Sequence, residues 1–212
     1  MRQPSLAPLK SRFPNKSEAL LLFTASALIV NFWSIINFLR WVPAFILRLQ
    51  FSEILIVFCY VQAFALYESI AITLALVLAG ALLPKRALRA RWVEQGTLFV
   101  FITGLLVMAY HNLPDILPVL RASVEYLEEA FRVDVPDYQT TLIIVGFFAT
   151  ATLTTYLILM RWAFARLKKN REFGEGVLAF LERATVLSTL FIVIDLLALA
   201  GLLIRYPYGM LR

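Results

Sequence analysis

The 212-residue chain is 61% hydrophobic and only 16% charged, with mean hydropathy +0.79; a soluble domain carries roughly 45–50% apolar and 25% charged residues. The excess lies in long runs, which excludes an ordinary soluble domain and leaves room for about five membrane spans and their loops. Net charge is +6 and the pI near 9.7, but the cations flank the apolar runs, as the positive-inside rule requires, and no nucleic-acid motif accompanies them.

Residues 1–18 carry Arg2, Lys10, Arg12 and Lys16 among three prolines, a basic tail expected on the cytoplasmic side. The first span is expected at about 19–39. It is too long for a signal-peptide core and ends in Phe38-Leu39-Arg40-Trp41 rather than small residues, so it reads as an uncleaved helix. Thr24, Ala27, Asn31 and Ser34 fall at helical spacing along it, a polar stripe that needs protein neighbours. Residues 40–52 mix Trp41 and Phe45 with Arg40, Arg48 and Pro43, which suits an interfacial segment.

The second span, about 54–83, is long for one crossing, and residues 41–83 can be read as one helix or two. Ala65, Glu68, Ala71, Ala75 and Ala79 form a small-residue stripe that places Glu68 at a helix contact. A basic loop with Lys85, Arg86, Arg89 and Arg91 leads into the third span, about 93–112, which ends at His111.

The acidic segment 113–139 contains an amphipathic helix, about 115–132, with Ile116, Leu120, Val124, Leu127 and Phe131 at three- to four-residue spacing. The fourth span, about 140–160, presents Gly146, Thr150 and Thr154 as a small-xxx-small face. A second basic segment follows, in which Gly174 and Gly176 are expected to mark a turn. The fifth span, about 184–204, carries Thr185, Ser188, Asp195, Ala198 and Gly201 on one face.

With five spans, fourteen Lys and Arg residues lie on the N-terminal side and six on the other. The N-terminus is therefore expected in the cytoplasm, with the 113–139 loop and the C-terminus external, in the cell membrane. The expected fold is all-α: a polytopic transmembrane bundle of about five spans, residues 19–212 as one membrane domain, plus one external amphipathic helix.

Asp195 is the leading site residue. A carboxylate near the bilayer midplane costs about 3 kcal/mol, so it should point into the bundle. It serves either as a proton or cation relay or as a structural carboxyl bonded to a neighbouring helix, with Asn31 as the partner named from depth. Glu68 either lines a cavity with Asp195 or pairs with Arg40 or Arg48. His111 is an interfacial residue that can sense pH or bind a ligand, or simply be solvated.

The lone cysteine, Cys59, rules out an internal disulfide and C-x-x-C chemistry. The lone histidine rules out an H-E-x-x-H metal site and bis-histidine haem. No lysine lies in an apolar run, and no G-x-S-x-G elbow or Walker A loop is present. No catalytic residue, metal or cofactor is expected. The functional expectation is a non-catalytic subunit, scaffold or accessory factor that packs in the lipid bilayer against a membrane-protein partner or its own copies. The alternative is a small transporter or channel-like protein using Asp195 with Glu68.

Overall fold

The computed structural model describes residues 14–82, 91–112 and 137–209, together with the single positions Pro118, Ala122 and Tyr126. Apart from these single positions, the expected amphipathic helix at 115–132 lies outside the described residues. So do Lys85, Arg86 and Arg89 of the first basic loop and most of the basic tail. The described residues form five long helices and no strand: α1 (Lys16–Ile46), α2 (Phe51–Leu82), α3 (Trp92–His111), α4 (Asp137–Lys169) and α5 (Arg171–Gly209).

Three of the five helices, α1, α4 and α5, outrun the expected spans at both ends, while α2 and α3 match theirs to within three residues. The length of an apolar run sets what can cross a bilayer, not where a helix stops; the Leu, Arg, Lys and Glu flanks are themselves good helix formers. The start of α1 is fixed by a reciprocal cap. The Asn15 side chain accepts from the Lys16 N–H at 2.7 Å, and Glu18 Oε2 accepts from the Asn15 N–H at 2.7 Å. The helix then runs on through Pro43, which removes one backbone bond close to the C-terminal end, where little helix remains to be lost. Arg40 and Trp41 are therefore exposed positions on the last turns of α1 rather than parts of a separate interfacial segment.

A tight turn over 47–50 reverses the chain, with the Leu49 N–H bonded to the Phe45 carbonyl at 2.7 Å. Glu53 Oε2 accepts the Gln50 N–H at 2.8 Å and places a negative charge in the first turn of α2. Residues 51–82 then form one uninterrupted helix of 32 residues, roughly 48 Å long. The 41–83 stretch holds the end of one helix and the whole of the next.

The expected turn at Gly174 and Gly176 is absent; both glycines are helical. The break falls at Asn170, a single residue between α4 and α5. Its side-chain oxygen accepts from the N–H groups of Glu172 (2.9 Å) and Phe173 (3.3 Å), an N-cap for α5. The Arg91 guanidinium donates to the carbonyl of Leu167, in the last turn of α4, and to that of Asn170 at 3.3 Å. Gly174 is wanted for its lack of a side chain. A Cβ there would lie 3.3 Å from Arg91 Nη1 and 3.3 Å from Leu167.

The chain divides into two compact units, 1–101 with 166–212, and 102–165. In the first, α1, α2 and α5 pack pairwise on one another. α1 is enclosed over Leu22, Thr24–Ala27 and Ile29–Asn31, and α5 buries a strict helical stripe of Leu181, Ala184, Ser188, Phe191, Asp195 and Ala198. Ala25, Val93 and Leu181 form an apolar core, with Leu21, Leu178 and Phe101 against it. Gly96 lets α3 approach α1: a Cβ there would meet Leu22 Cδ2 at 2.5 Å. In the second unit, Thr103 and Tyr156 approach through their hydroxyls at 3.4 Å. Thr150 and Thr154 are exposed, and a Cβ on Gly146 would meet nothing within 4 Å. Among the described residues of its unit, the small-xxx-small face of α4 thus makes no close packing.

All five helices contain a stretch long and apolar enough to cross a membrane. Their outward faces are strongly apolar, as at Leu74 and Leu78 of α2, Leu153 and Leu157 of α4, and Leu196, Leu197 and Leu203 of α5. Soluble monomers rarely expose such continuous apolar surface. This is a membrane-embedded helical protein.

Candidate functional site

One residue from each of α1, α2 and α5 meets in a buried polar layer. Asn31, Gln62 and Asp195 each have 0% exposure. Asn31 Nδ2 donates to Asp195 Oδ2 at 3.2 Å and to the Ala27 carbonyl of its own helix at 3.1 Å. Gln62 Nε2 donates to Asp195 Oδ1 at 3.2 Å and to Asn31 Oδ1 at 3.3 Å. Each amide has two N–H groups, and all four are used. Both carboxyl oxygens of Asp195 are held, one by each neighbouring helix.

The hydroxyls around the layer are also committed. Ser188 Oγ donates to the Thr24 carbonyl at 3.1 Å, a second tie between α5 and α1. Ser26 bonds the Leu22 carbonyl at 3.0 Å and Ser69 the Ala65 carbonyl at 2.7 Å, each on its own helix. Three buried acceptors in this unit, Gln62 Oε1, Gln95 Oε1 and Thr97 Oγ1, and one buried donor, Trp92 Nε1, have no hydrogen-bond partner among the described residues.

The layer holds Asp195 with amides alone. Among the described residues, no Lys, Arg or His side chain is buried, and no three His, Cys, Asp or Glu gather as metal ligands. Carboxamides neither titrate nor attack, so the layer contains no nucleophile–base pair. What it can do is fix the register and rotation of three helices, because each polar side chain in hydrocarbon has one place where its bonds close.

The structure brings Asn31 to Asp195 but not Glu68. Gln62, Ala65, Leu66 and Ser69 are the buried residues of α2. Glu68 lies six positions past Gln62, about 120° round the helix, and is exposed, as are Ala71 and Ala75 of the expected stripe. Nor does Glu68 reach the arginines. Asn31 and Gln62 are level, and the two helices run antiparallel from the 47–50 turn. Arg40 is therefore roughly 14 Å from that level towards the turn, and Glu68 roughly 9 Å away from it. Glu68 makes no hydrogen bond or ion pair among the described residues. His111 is the last residue of α3 and is exposed.

Gln62 is the member that sequence reasoning passed over in favour of the charged Glu68. A signal existed: Gln62, Ser69 and Thr73 recur at helical spacing, a polar stripe like that of α1. No family model matches the chain, and neither a curated protein nor a solved structure does.

Proposed function

We propose that the protein is a multi-pass cell-membrane protein without catalytic activity, a subunit, scaffold or accessory factor that packs against a membrane-protein partner or against its own copies. The observation that supports this reading is the closure of the Asn31–Gln62–Asp195 layer: the deepest carboxyl is fully enclosed and both its oxygens are bonded across helices. A relay group needs an exchange path, whereas a structural group needs closed bonds. The fourteen-to-six division of basic residues favours a cytoplasmic N-terminus, with the 113–139 segment and the C-terminus external.

One observation favours the alternative, a small transporter or channel-like protein using Asp195. Gln62 Oε1, on the amide that donates to the carboxyl, is a buried acceptor with no partner among the described residues, so a proton or cation brought to Asp195 would find a second oxygen waiting.

Two measurements divide these readings. Mass spectrometry of the protein purified in mild detergent is expected to recover a stoichiometric protein partner or a homo-oligomer; a lone chain loaded with a small solute would favour transport. In a liposome flux assay, the subunit reading expects no flux that depends on Asp195. Flux present in the native chain and lost in Asp195→Asn would overturn it.

A further inference from the structure

Between α1 and α2, on the side away from Asp195, the structure contains an open groove of about 480 Å³. Half of its lining residues are aromatic: Trp33, Phe38, Trp41 and Phe45 from α1, and Tyr60 and Phe64 from α2. The only charged residue among them is Glu68. Because the helices are antiparallel, Phe45 and Val57 lie at the end near the 47–50 turn, and Trp33 and Glu68 at the end farthest from it.

We propose that this groove binds an amphiphilic organic cation, an ammonium group carried on an apolar body, with the charge at the Glu68–Trp33 end and the body along the aromatic walls. Three features converge on that class. The volume lies in the range of small-molecule sites, which are apolar with a few placed polar groups. Aromatic faces attract ammonium groups, tryptophan most strongly. And Glu68 is a carboxylate within a membrane-spanning helix that has no counter-charge among the described residues, in a setting where an unpaired charge is costly. A neutral lipid chain would fill the walls but leave the carboxylate unanswered; an anion would be repelled. From Glu68 to the level of Val57 is roughly 16 Å of helix, which fits a body of about a dozen carbons. The proposal stands apart from the subunit reading, since it concerns a surface that the buried layer does not use.

The test is photolabelling of the full chain in neutral-lipid nanodiscs. The probe is a dodecyltrimethylammonium with a diazirine on its tail. The control is its uncharged analogue, in which carbon replaces the quaternary nitrogen. The ammonium probe is expected to label 33–45 and 57–68, and to lose about tenfold or more of that labelling in Glu68→Gln. The uncharged analogue should label both proteins alike. Trp33→Leu provides a second variant, expected to weaken the ammonium probe several-fold with Glu68 in place, and it carries the test if Glu68→Gln does not fold. Ammonium labelling spread evenly over the exposed faces of α4 and α5, or groove labelling unchanged in the folded variants, overturns the proposal.

Discussion

Asp195 and Glu68 are both carboxylates in apolar helices, and the fold treats them oppositely. Asp195 is fully enclosed and held by two amides from two other helices. Glu68 faces out of the same three-helix packing, beside aromatic rings, with no partner among the described residues. The chemistry of the two acids is the same; helical phase separates them. Positions 62, 65, 66 and 69 of α2 turn towards α1 and α5, and position 68 falls outside that arc. An intramembrane acid is therefore not one kind of signal. Enclosed, it specifies how helices fit; open, it specifies what else must come.

The largest effect that would break the comparison is at Asp195. Asp195→Leu leaves the Asn31 and Gln62 amides without their shared acceptor in a buried layer, and should cost about 3 kcal/mol, read as the unfolding free energy in bicelles. Loss below about 1 kcal/mol would mean that the layer does not hold the helices. Asp195→Asn should cost about 1 kcal/mol, because Gln62 can rotate its amide and offer its unpartnered oxygen to the new N–H. Next comes Gln62→Leu, which removes two donors but also the unpartnered Oε1. The expected loss is about 1–2 kcal/mol, and a double-mutant cycle with Asn31→Leu should show coupling.

Gly96→Ala sets a new Cβ against Leu22 and should destabilise by about 1–2 kcal/mol, with partial rescue by Leu22→Ala in the same melting assay. A small effect sharpens the contrast. Glu68→Gln should change unfolding by no more than about 0.5 kcal/mol, since nothing in the described fold depends on that carboxylate. Gly146→Ala, in open space on α4, should be neutral or stabilising by up to about 1 kcal/mol in the isolated protein. A loss there in the cell but not in the isolated chain would reveal a partner on that face.

The helices were legible because hydropathy and length act locally. The five long apolar runs, the polar stripe of α1 and the depth match of Asn31 with Asp195 all follow from spacing along single helices. What was hidden depends on phase between helices. Charge made Glu68 more conspicuous than Gln62, although an amide can donate to a carboxylate from a neighbouring helix and a second ionised acid cannot. The Gly174-x-Gly176 pair looked like a turn because glycine breaks isolated helices; here the tight approach of Arg91 and Leu167 explains Gly174. Nothing in the structure explains Gly176, which has open space around it. The turn itself rests on one asparagine, a cap whose signal is a single residue long.

The spacing of the buried layer along the chain also sets an order of assembly. α1 and α2 are made as a hairpin, and Gln62 can bond Asn31 as soon as both are in place. Asp195 arrives only 133 residues after Gln62. Until then the hairpin carries an unfinished polar notch in the membrane, with two N–H groups waiting for a carboxyl. The insertion of α5 is thus the step that closes the first unit, and a chain stopped before it would keep a sticky, half-bonded surface that any passing polar helix could occupy.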